Sequence, residues 1–306
     1  MSTLENKGYV YEAASLGAFD GQPRPDVCGL ILSLEKFIGR QELSNFQNLR
    51  FLLSATTGQD HLDLSALDEQ GVELITLRGH DDFLATITST PEHTWALLLA
   101  MVRNLPDAIA HVESGGWDRD RFRGRQLSGM RLGVVGLGRV GSRVAAIGEA
   151  FGMDVAYFDP HVSRPVDRYD SLEDLAARSD VVTIHVHLNE TTANLLDENV
   201  IRRLPAGAFI VNTSRGLLID EAVAAEHVLS GALGGVAVDV LADELDETIS
   251  SPLRRARELG ANVLITPHIA GASWDAMQSC EDFVALLAPE AVRLDVQDEV
   301  SGERLV

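Results

Sequence analysis

The sequence predicts an α/β protein in which a doubly wound parallel sheet of about 170 residues is joined to a second, smaller α/β domain. Three observations lead there. The chain has 306 residues, which at roughly 100–200 residues per domain most simply makes two domains. From Met130 onward, short apolar runs alternate with helical patterns, as in a parallel sheet covered on both faces. The first of these runs ends in Gly136-Leu137-Gly138-Arg139-Val140-Gly141 and opens a helix.

In chain order, the first 25 residues carry Gly8, Gly17, Gly21, Pro23 and Pro25 without apolar periodicity and read as irregular extension. Apolar runs follow at 27–34, 49–55 and 72–77. The last two are separated by HLDLSALDEQG, which has helical spacing and a terminal glycine, so the rhythm is β-α-β. Thr90 as N-cap and Pro91 at the first helical position then open one long helix to about His111. After a connecting stretch, RLGVVG leads into SRVAAIGEAFG, and DVAYFD into SLEDLAARS, whose Ser171 and Asp174 suit a capping box. DVVTIHV leads into LDENVIRRL and AFIVNT into IDEAVAAEHVLSG, while GGVAVDV and NVLITPH bring the strand candidates to six. A final helical stretch over 274–296 is expected to cross back onto the first domain, making that domain discontinuous and the two crossings a hinge.

Composition excludes several classes. With 25 Lys plus Arg against 46 Asp plus Glu, the net charge is −21, opposite to what a nucleic-acid or anionic-membrane partner attracts. At 45% apolar residues the chain has material for a core. Cys28 and Cys280 make no disulfide framework and lack zinc-site spacing, so a reducing, cytoplasmic setting and no metal are expected. The longest apolar run, 95–102, falls far below the ~20 residues of a membrane span, and the acidic start lacks a secretory pattern.

The glycine motif carries the first functional reading. Gly136 permits a tight turn, Gly138 lets backbone approach a pyrophosphate, and Gly141 lets helix and strand pack closely. Eighteen residues after Gly141, at the end of DVAYFD, stands Asp159, where an acidic side chain accepts from adenosine ribose hydroxyls. That carboxylate repels a 2′-phosphate, and Pro160 and His161 follow where an arginine would favour it, so NAD is preferred over NADP. Ligands of open α/β sheets bind beyond the carboxyl ends of the strands, where Asn212, Thr213, Ser214, Arg215, Asp239 and His268 stand. Hydride transfer at a carbonyl needs a group that titrates near neutrality and a cation for an acidic substrate. His268 and Arg215 have that chemistry, although on spacing alone most of the nine histidines read as surface or structural.

Five segments, in order, widen the reading: LSATTGQDHLDL, PEHTWALLLAMVRNL, LSGMRLGVVGLGRVGSRVA, NTSRGLLIDEAVAAEHVLSGALGGVAVDV and TPHIAG. Together the chain resembles the D-isomer-specific 2-hydroxyacid dehydrogenases from about Leu49 to His268. The resemblance implies a flavodoxin-like substrate domain over 1–97, an NAD-binding Rossmann domain over 98–272 and a returning segment over 273–306. It implies an oxidoreductase that transfers hydride between NAD(H) and a small 2-hydroxy or 2-keto acid. His268 takes the part of acid/base and Glu244 that of its carboxylate partner, which orients the ring and favours its charged form. Arg215 binds the substrate carboxylate and polarises the carbonyl. Arg139 and Val140 present backbone to the pyrophosphate, Val186 lies by the adenosine half, and Thr213, Asp239 and His268 lie near the nicotinamide. Thr57, Gly58 and Gln59 hold the substrate carboxylate from the other domain. A homodimer through the long helix and the segment around Trp117 is implied as well.

The chain departs from that pattern in places. Leu245 and His187 stand where proline is common, and Ala270 and Ser273 where glycine and threonine are. The front of the substrate domain looks trimmed of a strand and helix, and Glu35 and Lys36 stand where many relatives have an arginine for the distal end of the substrate. A non-catalytic NAD-binding dimeric regulator or scaffold is the alternative, since fold alone does not fix chemistry.

Overall fold

Runs such as RLGVV, VVTI and AFIVN have no polar face, so they are stable only with cover on both sides of a sheet. In the computed structural model, which describes residues 2–7, 9–11, 22–32, 36–164, 167–246, 248–289 and 304–305, such sheets occur in both units of the chain. These units are Met1–Thr86 with Trp274–Val306, and Ile87–Ser273.

The first unit opens with α1 (Ser2–Asn6) and β1 (Val10–Tyr11), followed by β2 (Val27–Leu32), α2 (Arg40–Leu43), β3 (Phe51–Ser54), α3 (Leu64–Gln70), β4 (Glu73–Thr76) and α4 (Asp81–Leu84). In α3, the Asp63 side chain accepts from the Ala66 N–H at 3.0 Å, and Gly71 closes the helix at φ +72°. Leu30, Phe46, Leu52 and Leu67 form its core.

The second unit holds α5 (Ser89–Val102), α6 (Leu105–Glu113), β5 (Arg131–Val135), α7 (Arg139–Ala150), β6 (Asp154–Phe158), β7 (Asp167–Arg168), α8 (Leu172–Ala177), β8 (Val181–Ile184), α9 (Glu198–Ile201), β9 (Ala208–Asn212), α10 (Glu221–Leu229), β10 (Leu233–Val238), α11 (Pro252–Glu258) and β11 (Val263–Ile265). The chain then returns to the first unit as α12 (Trp274–Leu287) and β12 (Arg304–Leu305). The first unit's parallel sheet runs β1-β12-β2-β3-β4, so the end of the chain pairs between the first two strands.

The second unit's sheet is also parallel, in the order β11-β10-β9-β8-β5-β6-β7. Strand order reverses between β5 and β8, the switch point at which such sheets open a crevice. Alternation sorts the side chains into two cores: Val135, Val182, Ile184, Ile210 and Val238 point to one face, and Leu132, Val134, Val181, Val211 and Ala237 to the other. Burying each such side chain is worth about 1.5–3 kcal/mol, so both faces must be covered at once.

Several sequence expectations change. The first 25 residues include a helix and a strand, which five- and two-residue elements are too short to announce by periodicity. The sheet of the first unit is completed by its own terminal segments. The 90–111 helix is two helices, broken where Asn104 takes φ +53°. The helix starts two residues earlier than expected, so Thr88 and not Thr90 is the N-cap. Trp95, Leu98, Met101 and Val102 of α5 pack into the core of the second unit, so the division falls at 86/87 and not at 97/98. A seventh strand, β7, joins the six expected in the larger domain. Of the 274–296 stretch, α12 ends at Leu287, and 290–296 lie outside the described residues.

The residue that follows β8 is a half-buried histidine whose Nδ1 is enclosed. His185 Nε2 lies 2.8 Å from Thr183 Oγ1, while its buried Nδ1 has no partner among the described residues. Burial pushes its pKa down to about 3. The unfolded chain then takes up this proton near pH 6.5 and the folded chain does not, so stability present above pH 6.5 is lost as pH falls, by up to about 1.4 kcal/mol per pH unit. Unfolding midpoints measured from pH 7.5 to 5 should fall less steeply in His185→Gln than in the unsubstituted protein; parallel curves would contradict the burial.

Candidate active site

The glycine turn stands between β5 and α7, next to the switch point. Gly136 takes φ +88°, and a β-carbon there would come within 2.6 Å of Val186 Cγ1 and 2.7 Å of His185 O. One at Gly141 would lie 2.0 Å from Gly136 O, so the helix must start flush against the turn. A β-carbon at Gly138 would meet nothing within 4 Å. This open glycine backbone at a helix start is where an anionic diphosphate can approach free N–H groups.

Asp159 is 8% exposed. Its Oδ2 accepts from the Leu137 N–H at 2.8 Å, and its Oδ1 from the N–H groups of His161 and Val162 at 2.8 and 3.0 Å. The carboxylate therefore ties the glycine turn to the end of β6 and, with about four acceptor sites, keeps capacity for a ribose hydroxyl. Arg139 donates to Ile87 O at 3.3 Å, leaving its backbone in the first turn of α7 beside half-buried Val140. These residues fit an adenine dinucleotide: open diphosphate cradle, carboxylate at the next strand, and Val186 against the turn.

The acid/base candidates come from the carboxyl ends of β9, β10 and β11, which are neighbours in the sheet. Asp239, with its side chain wholly buried, directly follows β10. Its Oδ1 accepts from the Ile269 N–H at 2.9 Å and the Thr266 hydroxyl at 2.6 Å, and its Oδ2 from the Ala270 N–H at 2.7 Å. Its backbone oxygen accepts from the His268 N–H at 2.7 Å. Together these bonds hold His268 at φ +53°, a conformation uncommon for a residue with a β-carbon and stable only when its surroundings impose it.

The ring so presented meets Glu244: Nδ1 lies 2.9 Å from Oε1, with both side chains about a quarter exposed. Glu244 Oε2 also accepts from the Leu241 N–H at 3.3 Å. The loop that carries Glu244 is fastened from below by Glu221, which accepts from the Ala242 N–H at 2.7 Å and from the Ser251 hydroxyl. Burial pushes the Glu221 carboxyl up, and Asp243 and Glu244 add to the shift. Gly216, the neighbour of Arg215, packs so closely that a β-carbon would lie 2.0 Å from the Leu241 carbonyl carbon. The Arg215 loop and the Glu244 loop are thus in backbone contact. Arg215 donates to Ser214 O at 2.7 Å, and Asn212 braces the turn through Arg215 O and the Ser214 N–H.

Three participants escaped sequence reading. Thr266 gives its single hydroxyl hydrogen to Asp239, so it can only accept from His93 Nε2 at 3.0 Å; that nitrogen therefore carries a hydrogen, shared with Asp239 Oδ1 at 3.3 Å. The hydroxyl of Thr94 lies 2.8 Å from that of Thr213. Helix α5 thus supports the ends of β9, β10 and β11 through adjacent residues of the PEHT motif, a polar pair whose contacts 119 and 173 residues away no local pattern reveals.

In the first unit, Thr57, Gly58 and Gln59 follow β3, half-buried. Thr56 shapes their turn by donating to Gly58 O at 2.8 Å, and Gln59 Oε1 accepts from Arg78 at 3.2 Å. Lys36 is engaged by Glu42 at 3.2 Å, and Glu35 lies outside the described residues. Exposed Leu245 ends the DEL turn without disturbing the His268–Glu244 bond. His187 is exposed, and its carbonyl accepts from Thr192. Among the described residues no group of three potential ligands could hold a metal ion, and no helix is long and apolar enough to cross a membrane.

Residues 95–270 match the NAD-binding domain of the D-isomer specific 2-hydroxyacid dehydrogenases. A D-3-phosphoglycerate dehydrogenase of Methanocaldococcus jannaschii is 32% identical over 86% of this chain, which spans about half (49%) of that relative's length. A glyoxylate reductase of Aeropyrum pernix is 33% identical over 79% of this chain and 75% of its own. The crystal structure of a D-lactate dehydrogenase from Aquifex aeolicus, complexed with NAD and lactic acid, superposes with TM-score 0.70 at 28% identity, covering 85% of this chain and 80% of that one. With the glycine turn, the switch-point sheet and more than half its length matched, the chain belongs to the D-isomer specific 2-hydroxyacid dehydrogenase family and carries its NAD-binding domain.

Proposed function

We propose that the protein is an NAD-dependent dehydrogenase of a small 2-hydroxy or 2-oxo acid. One observation carries the reading: His268, held in a left-handed backbone by Asp239, sets its Nδ1 2.9 Å from Glu244. Such a pair needs a reason, because the constrained backbone is tolerated only where the surroundings impose it, and such constraint concentrates at functional sites.

The protonation logic follows from that bond. Glu244 as a carboxylate can only accept, so Nδ1 carries hydrogen and Nε2 is the end free to exchange a proton. In reduction, Nε2–H donates to the carbonyl oxygen as negative charge develops on it; in oxidation, neutral Nε2 takes the hydroxyl proton. Bound NAD(H) supplies or accepts the hydride. Gly136, Gly138, Gly141 and the backbone of Arg139 and Val140 hold its diphosphate, Asp159 the adenosine ribose, and Val186 the adenosine side. Thr213, Asp239 and His268 lie toward its nicotinamide. Arg215 pairs with the substrate carboxylate and polarises the carbonyl, while Thr57, Gly58 and Gln59 add backbone N–H groups to the same carboxylate.

A second copy of the chain is the proposed partner. Helix α6 buries none of its residues: Leu105, Ile109 and Val112, spaced along one face, are 44%, 56% and 50% exposed, and Trp117 is 89% exposed. Apolar side chains left uncovered along one helix face mark an association site.

Turnover of NADH with glyoxylate, hydroxypyruvate, pyruvate and 2-oxoglutarate tests the reading directly. Tight NADH binding without turnover of any acid would favour the non-catalytic regulator. His268→Ala should lower kcat by roughly 10²–10⁴ at nearly unchanged NADH affinity, the loss expected for a general acid. Arg215→Lys should lower kcat/KM by about tenfold or more, because an ammonium cannot replace a two-point guanidinium contact. Light scattering after size exclusion should give a dimer for the native chain and a monomer for Ile109→Arg; a native monomer would refute the partner assignment.

A further inference from the structure

Arg78 was assigned no part by the sequence pattern, yet its position is specific. Strands β3 and β4 lie side by side with Ser54 opposite Thr76, so the loops that follow them leave the sheet together. They are stapled: the Leu77 N–H donates to Thr56 O at 3.0 Å, the Arg78 N–H to Thr76 Oγ1 at 3.2 Å, and Ser54 and Thr56 share a hydroxyl contact of 2.9 Å. This brings the Arg78 guanidinium to Gln59, where Nη1 donates to Oε1 at 3.2 Å.

Two further facts give that contact meaning. The backbone N–H groups of Thr57, Gly58 and Gln59 have no acceptor among the described residues, which leaves three donors unused by them. Arg78 has no carboxylate within 4.0 Å among the described residues, although the chain holds 46 acidic against 25 basic side chains. A neutral amide uses one of its five N–H donors, which leaves the others for a planar oxyanion in the two-point manner that a guanidinium favours. Donors and a positive charge without acceptors, collected on two stapled loops, amount to an anion site larger than one carboxylate needs.

We propose that Arg78, braced by Gln59, binds a second anionic group of the substrate, so that the substrates are 2-oxo acids carrying a distal carboxylate or phosphate. The proposal rests on reading Thr57, Gly58 and Gln59 as the loop for the substrate's own carboxylate. It also accounts for Lys36, which Glu42 already neutralises, leaving the distal charge to be met from β4 and not from the segment after β2.

The test compares matched acids: 2-oxoglutarate with 2-oxopentanoate, and phosphohydroxypyruvate with hydroxypyruvate. In at least one pair the protein should favour the charged acid in kcat/KM by roughly 10- to 100-fold, the range of a charge-assisted contact, and Arg78→Met should collapse that ratio while Arg78→Lys restores part of it. The pair that shows the preference says whether the distal group is a carboxylate or a phosphate. No preference in the native protein, or a preference that survives Arg78→Met, overturns the assignment. If no 2-oxo acid is turned over, the dehydrogenase reading fails, and calorimetric binding of the same charged acids to the NADH-loaded protein decides the site: affinity lost in Arg78→Met upholds it, and affinity that is absent or independent of Arg78 removes it.

Discussion

A single buried carboxylate organises the chemical end of this protein. Asp239 is wholly enclosed, and a charge there is tolerable only if its acceptor sites are filled. It gathers the N–H groups of Ile269 and Ala270 and the hydroxyl of Thr266, while its carbonyl takes the N–H of His268. Every one of those donors belongs to the loop that presents the imidazole. The solvation demand of one side chain thus becomes the constraint that holds another in a backbone conformation it would not adopt alone. Glu244 can meet His268 only because that ring has been held still.

Around this point the larger unit is built as a set of braces. Below the Glu244 loop, Glu221 fills its oxygens with Ala242 and Ser251, and Gly216 lets the Arg215 turn press against Leu241. Helix α5 adds His93 and Thr94 under the strand ends. At the other end of the crevice Asp159 does for the glycine turn what Asp239 does for the histidine loop, anchoring a backbone segment through its N–H groups. Side-chain carboxylates capture loop backbone at both places, a use of acidic residues that the net charge of −21 does not suggest.

The smaller unit solves a different problem. With its opening residues poor in periodic pattern, its sheet gains an outer strand from residues 10–11 and, between that strand and β2, an inner one from residues 304–305, with helix α12 packed on the same unit. Stacking of Phe83 against Phe283, 4.0 Å between centroids, ties that returning helix to the first part of the chain.

What the amino-acid order alone determined is whatever repeats or sits in a local motif. The six apolar runs, the glycine spacing, Asp159 at the end of its strand, the glycine closing the helix after Asp63 and the Ser171 cap are all readable because strand burial, turn geometry and capping act over a few residues. Family resemblance added Glu244 as the partner of His268, which its strand-end position had already marked as a candidate. The break at Asn104, the strand at residues 10–11, the link from His93 to Thr266, and the meeting of Gln59 with Arg78 were decided only by tertiary structure. Each depends on groups that are far apart in the chain or on a single residue's backbone angle, and no hydrophobic period encodes which polar atom will find which partner once the sheet has brought their loops together.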